Sequence, residues 1–125
     1  MQTIMIKEIT KEAASQSSGE KLLNIMEPLI KDKVEFCVDF NELTRFASPF
    51  FNNSFAKLGL IYGFETIELI ECLNLSTVGT NTYNTCMENA KLLSKDSKYV
   101  AKIEEYRYSF SFPRLKNEYC NVANI

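Results

Sequence analysis

Four groups of side chains in this sequence carry chemistry that depends on where they sit. Cys37 and Asp39 lie two apart in an apolar run, so an extended chain places thiol and carboxylate on one face. Ser48 stands directly before Pro49 at an expected helix start. A phosphate there would meet free backbone N–H groups and a favourable dipole, which makes Ser48 a candidate phosphoacceptor. The ordinary use of serine at that position is as an N-cap. Ser17 and Ser18 precede an expected first helix and are candidate anion ligands, although capping alone explains them. Arg45 and Phe50, either side of the Ser48 junction, supply the residue types that anchor protein partners.

Nucleophilic chemistry at Cys37 would need a nearby base or cation, and the chain has no histidine. Asp39, at the end of a strand, is suited to hold a turn through its own carboxylate. Cys37, Cys72, Cys86 and Cys120 are widely spaced and read as reduced core residues, neither a disulfide set nor a metal site. No Gly-rich phosphate loop or catalytic constellation is present in the sequence, so no enzyme activity, cofactor or metal is expected.

The elements that must position these residues follow from the apolar pattern. Residues 34–38 (Val-Glu-Phe-Cys-Val) form an apolar run typical of a strand covered on both faces. Phe51, Phe55, Leu58 and Tyr62 then fall on one helical face, and Gly63 is a natural stop. Upstream, residues 3–9 read as a first strand. Ser17 to Glu20 has capping-box spacing before a helix through Ile30, with Pro28 expected to kink it or end it early. Residues 65–73 read as a further strand and residues 78–93 as a helix. Near the end, Tyr106, Tyr108, Phe110 and Phe112 alternate strictly with polar residues, an edge strand suited to self-association.

The predicted order is therefore β-α-β-α-β-α-(α)-β. It defines an α/β domain with a mixed, mostly parallel sheet of four to five strands and three to four packed helices. Residues 1–96 would form that domain, and residues 97–125 an extension on it. A chain of 125 residues is one domain in size. A net charge of −2 without a basic patch argues against nucleic acid, and no run approaches a membrane span. The first residues lack a signal-peptide pattern, so a cytoplasmic location is expected.

The step Asp39-Phe40-x-x-Leu43-x-x-x-Ala47 between strand and helix resembles the STAS fold, shared by anti-sigma-factor antagonists and sulfate-transporter domains. With Ser17–Leu23 and residues 47–58 it is most similar to the STAS-like domain family of unknown function. The resemblance implies a non-enzymatic regulatory module that binds a protein partner, an ATP-binding kinase-like regulator in the antagonists. By that resemblance the partner would touch Asp39, Arg45 and Phe50, and Ser48 would be phosphorylated. This chain has Ala47 where the antagonists carry an acidic residue, and Pro49-Phe50 where they carry Ser-Gly. An anionic-ligand or nucleotide-binding domain using the helix starts is the alternative.

Overall fold

The computed structural model describes residues 1–95. The chain divides into two units, Met1–Ala90 and Lys91–Ile125, and the description that follows concerns the first. The helix expected at residues 97–103 and the aromatic strand carrying Tyr106, Tyr108, Phe110 and Phe112 lie outside the described residues.

Three strands form one sheet in the order β1 (Gln2–Met5), β2 (Phe36–Asp39), β3 (Glu71–Leu73), and both pairings are parallel. The sequence predicts four to five strands; the described residues carry three. Parallel neighbours need crossovers. The first is α1 (Gln16–Lys31), and the second is α2 (Ser48–Asn52), α3 (Phe55–Tyr62) and the single turn α4 (Phe64–Ile67). Both crossovers step the same way along the sheet. Right-handed connection therefore brings them to the same face. Ile4, Phe36 and Val38 point to that face and are buried; Thr3 and Glu71 on the other face are exposed. Helix α5 (Thr77–Leu93) follows β3.

β1 is shorter than expected, because Ile6–Glu8 form a 3-10 turn whose Ile6 carbonyl accepts from Ile9 and Thr10. α1 starts two residues earlier than the capping box suggests. Ser15 is its N-cap, with Oγ accepting from the Ser18 N–H at 3.1 Å. Pro28 does not end the helix early, since α1 runs a further turn to Lys31. Its close is a left-handed residue, Lys33 (φ 57°), with Lys33 N–H bonded to the Ile30 carbonyl and Val34 N–H to the Leu29 carbonyl. That pair of bonds satisfies the carbonyls that the helix end exposes.

The expected single helix after Ser48 is two. Ser54 is fully buried and its Oγ donates to the Phe50 carbonyl at 2.8 Å, while the Asn53 side-chain amide donates to the Pro49 carbonyl at 2.7 Å. Such local side-chain bonds compete with the helical ladder, and here they interrupt it. The apolar face survives the break, with Phe51, Phe55 and Leu58 all buried. Gly63 does stop α3, with φ 102° and ψ 134°, a backbone that side chains disfavour. Most of the strand expected at residues 65–73 is instead α4 and a turn; only Glu71–Leu73 pair with the sheet. Ile67 is buried, whereas Leu69 projects into solvent, so the stretch alternates without keeping one face inward.

The core is aromatic. Phe40, Phe50, Phe51 and Phe55 are fully buried, and the Phe50 and Phe51 rings meet edge to face at 5.2 Å. Tyr83 of α5 packs edge-on against Phe51 and Phe55 at 5.8 and 5.3 Å. Each buried ring contributes on the order of 1.5–3 kcal/mol through removal from water. α1 and α2 touch closely: a Cβ on Gly19 would run into the backbone oxygen of Phe50.

Candidate functional site

Of the residues singled out from sequence, Asp39, Arg45 and Ser48 lie where the chain leaves the carboxyl end of β2. There the chain leaves β2 through Asp39, crosses a turn and enters α2. Asp39 Oδ1 accepts from the Asn41 backbone N–H at 2.8 Å and from the Asn74 side-chain amide at 2.9 Å. Those two bonds, the Asn74 bond foremost, hold its carboxyl below the ordinary value. Asn74 itself has a left-handed backbone, with φ 58°. Its side chain therefore links the turn after β3 to the end of β2. Glu42, also left-handed at φ 71°, reaches Lys7 at 3.0 Å and ties in the segment after β1.

A second tie joins the loop after β1 to the loop after β2. Ala13 and Phe46 form a parallel bridge, with Ala13 N–H on the Arg45 carbonyl and Ala47 N–H on the Ala13 carbonyl. All three strand ends thus contribute to one cross-linked rim. Arg45 stands on it with its side chain 75% exposed, 3.5 Å from Glu12. Phe46 is half-buried, its ring stacked on Phe51 at 6.3 Å.

Ser48 is exposed on the rim, but it is the first residue inside α2. The N-cap is Ala47, whose methyl group cannot accept a hydrogen bond from the first N–H groups, so the expected Ser48 cap is not formed. Phe50 corrects the sequence reading more sharply. Expected as an exposed anchor, it is fully buried, because the helix starting at Ser48 turns both Phe50 and Phe51 toward Phe40 and α1. Phe46 is the aromatic that the rim offers.

The remaining candidates are kept apart. Ser17 is exposed, while Ser18 is buried with its Oγ accepting from Ser15 Oγ at 2.9 Å. Cys37 shares a strand face with Asp39, yet its Sγ lies 3.3 Å from Thr3 Oγ1. Burial pushes the Cys72 thiol up to about 12 and raises Cys86 as well. Among the described residues no group of three or more His, Cys, Asp or Glu could hold a metal ion. None of the described helices is long and apolar enough to cross a membrane.

Sequence reasoning passed over one pair. Glu27 is 3% exposed and accepts from the Tyr62 hydroxyl at 2.6 Å, joining α1 to the end of α3. Its signal was its position four residues after Leu23, on the apolar side of the helix.

A short parallel sheet with capped crossovers to helices on one face, and a tied rim at its carboxyl edge, defines an α/β module of STAS-like type. Residues 18–79 match the family described as the STAS-like domain of unknown function (DUF4325), and the chain carries a domain of that family. No curated protein and no solved structure matches the chain.

Proposed function

We propose that this chain is a small cytoplasmic regulatory module that binds a protein partner through the carboxyl-end rim and catalyses no reaction. The observation that supports this most is the double hold on Asp39. Bonds from Asn41 and Asn74 converge on one carboxylate oxygen, so the strand-to-helix junction is a fixed surface before any partner arrives. Preorganised surfaces lose less freedom on binding. On that surface Arg45 and Ser48 face solvent, with Phe46 half-buried beside them. Arg and aromatic side chains are the usual anchors of interfaces.

By resemblance to the antagonists, the partner is an ATP-binding kinase-like regulator, and exposed Ser48 is the hydroxyl it would modify. Asp39 acts by holding the turn. The lack of histidine and the raised Cys72 and Cys86 thiols support a binding role over catalysis, because a thiol held protonated at neutral pH is a poor nucleophile. The reading as an anionic-ligand domain loses support where Ser18, one of its two serines, is buried and bonded to Ser15.

Affinity capture from the source cells tests the reading. Arg45→Glu and Ser48→Asp should each remove a protein that the wild-type chain retains, with the thermal unfolding midpoint unchanged. Retention of the same protein by both variants would place the binding surface elsewhere.

A further inference from the structure

At the opposite end of the sheet, an open groove of about 430 Å³ runs between the close of α1 and the turn into β3. Ile30, Val34, Phe36, Leu69 and Ile70 form its apolar wall. Leu69 is 84% exposed and Val34 36%, although leucine and valine gain most by leaving water. A wall leucine that protrudes from an apolar groove puts a knob and a hole on one patch of surface. Around the groove stand Lys33, Glu35 and Glu71, all exposed, and none of them forms an ion pair among the described residues. The bond from the Val34 N–H to the Leu29 carbonyl fixes the Val34 side of the groove in advance.

We propose that this amino-end patch is the interface of a two-fold dimer, and that its occupant is a second copy of the chain. A two-fold axis makes one patch meet itself, so the patch must be complementary to its own image. The knob and the hole satisfy that: each Leu69 seats in the other copy's groove. The charges satisfy it too. A rim of one sign would repel its copy, whereas this rim carries both signs and lets Lys33 face the partner subunit's Glu71. An apolar centre with a polar rim is the makeup of stable protein interfaces.

Sedimentation equilibrium on the full chain tests the proposal. The wild type should show twice the mass of one chain. Leu69→Asp should show a single chain at the same concentration, with an unchanged circular dichroism spectrum, because the side chain is outside the core. Lys33→Glu should weaken self-association by about tenfold, the effect of roughly 1.4 kcal/mol, and Lys33→Glu/Glu71→Lys should recover most of it. A wild-type chain that stays monomeric, a dimer that Leu69→Asp leaves intact, or a double variant no better than Lys33→Glu would each overturn it.

Discussion

The side-chain amide of Asn74 donates to Asp39 Oδ1 at 2.9 Å, so the residue after β3 fixes the residue that ends β2. Two strand ends that are far apart in sequence become one edge. The proposed binding surface is held by this contact, which depends on the charge of Asp39 and so on pH.

Both bonds to Asp39 favour its charged form, so its pKa is lower in the folded chain than in the unfolded one. Its contribution to stability is therefore complete above the ordinary value of 3.8 and is lost as pH falls through the lowered folded value. Asp39→Asn should lower the unfolding midpoint at neutral pH, and the gap to wild type should close as pH falls from about 5 to about 2. A gap that stays constant over that range would mean the carboxylate charge plays no part.

Ser54 ends α2 through its bond to the Phe50 carbonyl while fully buried. Ser54→Ala should cost about 1–2 kcal/mol in a urea titration, the loss of a buried bond with its partner left in place. A smaller loss would show that the interruption between α2 and α3 is set by packing alone.

Gly19→Ala tests the contact between α1 and α2. The added methyl has no room against the Phe50 carbonyl. Overpacking of this kind costs about 1–3 kcal/mol, even though alanine is the better helix former. A stabilised variant would mean the two helices can separate freely.

The thiols give a further check. In a Cys120→Ser chain, alkylation of Cys37, Cys72 and Cys86 at about pH 8 should be more than tenfold slower in the folded protein than in urea, since folding restricts access to all three and burial raises the Cys72 and Cys86 thiols. Rapid labelling of the folded chain would point to a reactive thiol and reopen the case for catalysis.

Much of the fold is legible in single residues. Of the apolar run at residues 34–38, Phe36, Cys37 and Val38 enter the central strand, whereas Val34 and Glu35 stay exposed before it. Pro49 marks a helix start and Gly63 a helix end, because each restricts or frees φ in one direction. Other features depended on contacts that no local pattern encodes. Asn53 and Ser54 look neutral in a helix until their side chains bond backward to Pro49 and Phe50. Residues 65–73 have strand-forming composition, but residues 64–67 form a helical turn, with the Phe64 ring packed over Gly59. Phe50 follows a proline at an exposed junction, and it is buried through contacts with Phe51 beside it and with Phe40 and α1 across the core. The link from Asp39 to Asn74 spans two separate turns, so sequence identified the first residue and not its partner.

Photo-crosslinking from one end of the sheet against the other tests partner binding at the rim most directly. A photoreactive residue placed at position 45, on the carboxyl-end rim, should capture one protein partner in cells. The same residue at position 32, past the end of α1 and beside the proposed dimer interface, should capture a second copy of the chain and no other protein. Capture of a different protein from position 32 alone, or of none from position 45, would contradict the account.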